Sequence, residues 1–232
     1  MIAARLRHCR LEQHLPGEAM KRAPLAILAA AVAAGLALPA AAADEWMVRV
    51  RAVRIDTANE SEAIPALAVP SDAIHVSNKT IPEVDISWFF AKNWAAELVL
   101  TYPQKHDVTV QESALGGPVK LGSFKHLPPT LTLQYHFNPD GDIRPYVGAG
   151  VNFTNISDVD LEVPTVGRLN LDRQSWGAAF GAGFDWKLDK NLYLNVDVKK
   201  VYIGADVTLG GAKVSEVKVD PVLIGVGLGW RF

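Results

Sequence analysis

Apolar and polar positions alternate strictly along much of this chain. From Val222 onward, Val222, Ile224, Val226, Leu228, Trp230 and Phe232 share one side, and Leu223, Gly225, Gly227, Gly229 and Arg231 share the other. Successive side chains of a strand point to opposite faces, so this segment sets a large apolar face against glycine. That suits a strand with lipid outside and a narrow lumen inside. The same alternation recurs over Val48–Val53, Val84–Phe90, Ala96–Tyr102, Leu131–Phe137, Arg144–Asn155, Trp176–Leu188 and Leu192–Lys199, with Phe89 breaking the polar side of its strand. About eight strands result, an even number, as in single-chain bacterial barrels. A secreted soluble β-sandwich also has short alternating strands, but it gives no reason for apolar faces backed by glycine and charge in strand after strand.

The connections alternate too. Ala91-Lys92-Asn93, Asn138-Pro139-Asp140-Gly141-Asp142 and Asp189-Lys190-Asn191 are tight-turn sequences. Between them lie longer polar stretches, roughly 56–80, 104–122, 156–173 and 208–215. Short turns on one side and long loops on the other predict periplasmic turns and extracellular loops. Trp46, Trp88, Trp94, Tyr135, Phe137, Trp186, Trp230 and Phe232 fall near strand ends, as in an interfacial aromatic girdle.

The first 43 residues do not belong to this pattern. Lys21 and Arg22 precede an apolar run from Ala23 that ends in Ala41-Ala42-Ala43 before Asp44 and Glu45. This reads as a secretory signal peptide over 20–43, with an uncleaved anchor as the alternative. Residues 1–19, ahead of Met20, read as an upstream extension, which leaves 44–232 as the barrel. Removing 1–43 takes away Arg5, Arg7, Arg10, Lys21 and Arg22 against Glu12 and Glu18, so the remainder carries 18 basic and 23 acidic residues. Nothing in that balance suggests a nucleic-acid partner. Cys9 is the only cysteine, so the exported chain has neither disulfide nor thiol chemistry.

Several short motifs, in order along the exported chain, resemble the OmpW family of outer-membrane proteins. They are His126-Leu127-Pro128-Pro129-Thr130-Leu131, Arg144-Pro145-Tyr146-Val147-Gly148-Ala149-Gly150, Ser175-Trp176-Gly177-Ala178-Ala179, Leu209-Gly210-Gly211-Ala212 and Trp230-Arg231-Phe232. The resemblance implies an all-β fold, an eight-stranded antiparallel transmembrane β-barrel integral to the Gram-negative outer membrane. It also implies passive passage of small hydrophobic molecules. Phe232 resembles the terminal aromatic that the barrel-assembly machinery reads, with periplasmic chaperones as further partners.

Parity then assigns the lumen. Arg49, Arg51, Asp85, Glu97, Asp185, Lys187, Asp197 and Arg231 face inward with both signs present, which predicts a paired charge network. Gln134, His136 and Lys199 share that face; Val99 and Lys199, at mid-strand, are the candidate constriction. A through-going ion path is the functional rival. The apolar loop residues around Leu67 and Val69, with Leu115 in the next loop, either pack on one another or roof a hydrophobic pocket. Pro128 and Pro129 remove donors from the ladder, marking either a bulge or a lateral opening.

His75, His106, His126 and His136 lack metal spacing, and no cofactor is expected. A lipid-modifying enzyme would need Ser123, His126 and the His106-Asp107 pair to converge. The reading is therefore a non-enzymatic barrel that binds small hydrophobic ligands at its outer end and releases them into outer-membrane lipid. A structural or stress-related barrel without transport is the alternative.

Overall fold

The computed structural model describes residues 46–232 apart from 114, 115 and 165. The leader and extension over 1–43, and Leu115, lie outside the described residues. The strands are β1 (Trp46–Asp56), β2 (Glu60–Ser61), β3 (Ile74–Val76), β4 (Lys79–Ala91), β5 (Trp94–Leu100), β6 (Gln104–Val110), β7 (Val119–Leu127), β8 (Thr130–His136), β9 (Ile143–Val163), β10 (Gly167–Leu171), β11 (Gln174–Lys187), β12 (Leu192–Val201), β13 (Gly204–Leu209), β14 (Ala212–Lys218) and β15 (Val222–Arg231).

All belong to one antiparallel sheet that closes where β15 pairs with β1, Trp230 opposite Val48. Several are collinear pieces of one crossing: β5 with β6, β7 with β8, β10 with β11, β12 with β13 and β14 with β15. The membrane part is a closed eight-stranded barrel. Closure leaves no strand edge in lipid, where an unpaired backbone group costs several kcal/mol. At the seam the Phe232 N–H donates to the Trp46 carbonyl at 2.8 Å.

The stretches 104–122, 156–173 and 208–215, expected as loops, are largely strand. β6, β7, the upper part of β9, β10, β13 and β14 carry the wall beyond the membrane. Where β1 and β4 stop, the segment between them completes this upper wall, with β2 pairing with β14 and β3 with β6.

Along these strands the two faces exchange character. In β9 the inward side runs Tyr146, Gly148, Gly150, Asn152 and Thr154, then Ile156, Leu161 and Val163. Its outward side begins with Val147 and Val151 and ends with Asp158, Asp160 and Glu162. A bulge at Asp158, with φ +48°, restores the inward parity of Leu161. On β6, Lys105 and Asp107 point out while Val108 and Val110 are buried. The outer surface is therefore apolar below this level and charged above it, which places the upper β6–β7–β9 wall outside the hydrocarbon. Phe153 and Trp176, ring centroids 4.7 Å apart, and Tyr202 near Phe180 at 6.4 Å mark the transition.

The turn end carries its own aromatic belt, with Trp46 and Trp88 stacked at 6.1 Å and Trp94 edge-on to Tyr135 at 5.0 Å. Phe89 turns inward there, packed with Met47, Ala95 and Tyr193, which explains its break in the alternation.

Glycine on β15 makes room for arginine. A Cβ at Gly227 would collide with the Val50 carbonyl and lie 2.6 Å from Arg51 Cα. Its neighbour Val226 is half exposed on the lipid face. Val226→Arg should destabilise the folded barrel by about 2–4 kcal/mol, as expected near the bilayer midplane. Gly227→Ala should instead reduce the heat-modifiable band of unboiled protein on a denaturing gel. Equal tolerance of the two changes would contradict the facing assigned to β15.

Candidate functional site: a charged plug beneath an apolar vestibule

The floor of the site is built on β1. Arg49 donates to Asp185 through Nη2 at 2.7 Å and Nε at 3.0 Å, to Ser87 Oγ at 2.6 Å and to Glu97 at 3.1 Å. Two residues up, Arg51 engages Glu83, Asp85 Oδ2 at 2.7 Å, Asp197 Oδ1 at 3.1 Å and Asn195 at 3.2 Å. Lys199 Nζ bridges Glu97 at 3.0 Å and Asp197 at 3.2 Å. The Tyr146 hydroxyl donates to Asp197 at 2.9 Å, and Asn195 donates to Asp185 at 2.9 Å. Three cations and five carboxylates thus join β1, β4, β5, β11 and β12 across the lumen, every one buried. Buried charges persist only when paired, and every charged group of this network has an opposite charge within 3.2 Å.

One residue expected in the network lies apart from it. Lys187 is half-buried at the turn end of β11 and forms no ion pair with the network among the described residues. It has the expected parity but sits too near the periplasmic rim, because parity fixes a face and not a depth. Arg231 places its guanidinium 4.2 Å from the centroid of the Phe89 ring. Conversely Glu83, Tyr146 and Asn195 belong to the network. Tyr146 and Asn195 lay on the inward parity, whereas Pro82 obscured the extension of β4 to Glu83.

Above the plug, Val99 and Lys199 line one small cavity of about 30 Å³ with Ile81, Thr101, Pro128 and Asn152. A second cavity of about 30 Å³ lies higher, walled by Val108, Phe124, Ile156, Leu161, Leu169 and Val207. Each space is the size of a water molecule or two, so the vestibule is closed as it stands. His126 borders both. Val69 is buried in this upper apolar core, and Leu67 packs against it from the segment that carries β2 and β3.

The wall beside the lower cavity is incomplete. The β4–β5 ladder ends at Val84 opposite Leu100, and the next backbone bond between these crossings joins the Ser77 N–H to the Asp107 carbonyl at 3.0 Å. Between the third and fourth crossings, pairing stops at Val99 opposite Thr130 and resumes at Gln104 opposite His126. Pro82, Pro103, Pro128 and Pro129 all fall in this window. Toward β9 the same level is sealed: the Phe153 N–H and the Asn152 amide both donate to Pro129, and Asn152 also to Pro128. The diproline thus breaks the wall on one side only.

The serine–histidine arrangement does not assemble. Ser123 is the register partner of Asp107, whose side chain is exposed on the outer surface, while His106 and His126 face the lumen. Among the described residues no group of three or more His, Cys, Asp or Glu is placed to hold a metal ion.

A closed antiparallel barrel with an apolar belt, two aromatic rims and a charged lumen defines an integral outer-membrane protein of Gram-negative bacteria. Residues 42–232 match the OmpW family model, and the chain belongs to the OmpW family. It is 39% identical over 215 residues to an uncharacterized outer-membrane protein, y4mB, of Sinorhizobium fredii, covering 90% of this chain and 86% of that one. Outer membrane protein AlkL of Ectopseudomonas oleovorans is 30% identical over 172 residues, 71% of each chain. The crystal structure of OprG from Pseudomonas aeruginosa superposes with a TM-score of 0.70 at 30% identity, covering 82% of this chain and 96% of that one.

Removing Arg49 leaves Asp185 buried without its cationic partner and Glu97 with Lys199 alone. Arg49→Met should therefore cost about 3–5 kcal/mol, read as a lower denaturant midpoint in detergent.

In the extracellular wall, burial pushes the His126 imidazole down to about 3, helped by His106 and Lys79; burial also lowers His106. A histidine at its ordinary value near 6.5 in the unfolded chain takes up a proton first. Stability is then complete above about pH 6.5 and lost as pH falls toward 3. The temperature at which the unboiled form disappears should drop between pH 6.5 and 4, and drop less in His126→Phe.

Proposed function

We propose that this barrel takes up small hydrophobic molecules, holding them in the extracellular half of the lumen and releasing them sideways into outer-membrane lipid. The observation that carries this reading is the exchange of lumen character at one level, apolar above and ionic below. A hydrophobic solute descending from outside meets the plug of Arg49, Arg51 and Lys199. Passing it would mean opening buried ion pairs with nothing polar to replace them. The missing rungs around Pro82, Pro103, Pro128 and Pro129 open beside the lower cavity, just above that barrier. Val99 and Lys199 form the constriction that turns the solute outward. Leu67 and Val69 roof the vestibule and must move to admit a ligand. Phe232, periplasmic chaperones and the assembly machinery belong to the route by which the barrel reaches the membrane. No catalytic step is part of this function.

A second reading, a structural outer-membrane protein without transport, draws support from how little free space the vestibule holds. Liposome uptake of a hydrophobic tracer separates the two. The wild-type barrel should accelerate uptake over protein-free vesicles; an unchanged rate would favour the structural role. Pro103→Val with Pro128→Val and Pro129→Thr restores backbone donors to the window. That variant should fold, keep its heat modifiability and fall to the protein-free rate. Transport at the wild-type rate through it would leave only the axial route past Lys199.

A further inference from the structure

Between the apolar vestibule and the plug lie three inward polar side chains, Gln104, His106 and His126, each at most 2% exposed. Their hydrogen bonds fix what they present. The Gln104 amide nitrogen donates to the Tyr102 carbonyl at 2.7 Å and to Thr101 Oγ1 at 3.2 Å. Both amide protons are thereby used, and the carbonyl oxygen Oε1, buried, has no donor. His106 Nδ1 lies 2.6 Å from the Ser77 carbonyl, which only accepts, so Nδ1 carries the proton. Nε2 is then a bare acceptor, and it too is buried without a partner. The His126 ring stacks on His106 at 4.7 Å and 17°, stands opposite Gln104 across the β6–β7 ladder, and borders both cavities. Neither side chain lines a cavity itself, but both flank His126, which lines the two, and two buried acceptors without donors are costly unless something donates to them.

From this geometry we infer that the vestibule is a binding site for small neutral amphiphiles with one hydroxyl donor, such as phenols and short alcohols, whose hydroxyl bonds to His106 Nε2 or Gln104 Oε1 while the apolar body lies among Val108, Phe124 and Ile156. The inference rests on the proposed uptake of hydrophobic molecules and narrows its ligand class. A pure hydrocarbon leaves both acceptors unpaired. A carboxylate brings a further acceptor and a negative charge above a plug that already holds five carboxylates against three cations. Discrimination of this kind arises because a site's buried polar groups penalise the analogue that cannot pair with them.

The test uses the full barrel in lipid nanodiscs, titrated with phenol, anisole and benzoate and read through the side-chain ¹⁵N resonances of His106 and His126. Phenol should saturate and move the His106 Nε2 signal. Anisole, of nearly the same shape without the donor, should need roughly five- to tenfold more ligand, the worth of one buried hydrogen bond, and benzoate should not bind. In His106→Phe the phenol and anisole affinities should converge with anisole binding retained, which separates lost selectivity from lost folding. Equal affinities in the wild-type protein, or a phenol preference that survives in both His106→Phe and Gln104→Leu, would overturn the inference and leave the hydrophobic uptake standing. Binding of none of the three would overturn both.

Discussion

Two guanidinium groups held inside a lipid-surrounded cylinder set the terms for the rest of the molecule. Arg49 and Arg51 are buried at the centre of the barrel, at most 2% exposed. Each is matched by carboxylates from neighbouring and opposite strands, so the network acts as a cross-brace as well as a plug. The glycines of β11 and β15 follow from this: a Cβ at Gly183 would lie 2.6 Å from the Tyr146 hydroxyl that bonds Asp197. An eight-stranded barrel has room for side chains and little else, and here large lumen groups are accommodated by removing their neighbours' side chains.

The brace also explains why the chain does not simply end at the membrane surface. Ionic contents suit the segment surrounded by lipid because the barrel exterior must be apolar there and the remaining faces can only meet each other. Once the strands emerge into water the constraint reverses. The exterior becomes charged, as at Lys125 and Asp158, paired at 2.6 Å, and the interior becomes an ordinary hydrophobic core built from Val108, Phe124, Ile156, Leu161 and Val207. The same strands serve both environments by exchanging which face is greasy.

That exchange marks the boundary of what could be read from the sequence. The lipid-spanning strands were legible because apolar residues recur at period two, six from Val222 to Phe232 and seven from Trp176 to Leu188, and parity identified most of the network, Glu83 excepted. Depth did not follow from parity: Lys187 shares the parity of Asp185 yet lies beyond the brace. The extracellular strands looked like loops because their apolar residues change side within one strand, as between Phe153 and Ile156 in β9, and bulges at Leu121–Gly122 and Asp158 then shift the period again. Gln104 and His106 fell inside a stretch taken for loop and Pro103 just before it, so neither the acceptors nor the second half of the wall's break was visible. The diproline at 128–129 was conspicuous, but which neighbour it fails to pair with depends on Asn152, twenty-odd positions away.

Placed together, the break in the wall and the exchange of lumen character fall at the same height. The exchange does not itself break the ladder, since β9 pairs with β11 without interruption from Ile143 to Asn155 across this level; the prolines do, by removing backbone donors. Pro82, Pro103, Pro128 and Pro129 concentrate that irregularity in the second, third and fourth crossings, while Asn152 confines it by tying the fourth to the fifth. The outcome is a break in the ladder beside the lower cavity and above the brace. The ionic brace below and the hydrophobic core above come from one constraint, the change of solvent along a single strand, and the gap between them comes from the prolines.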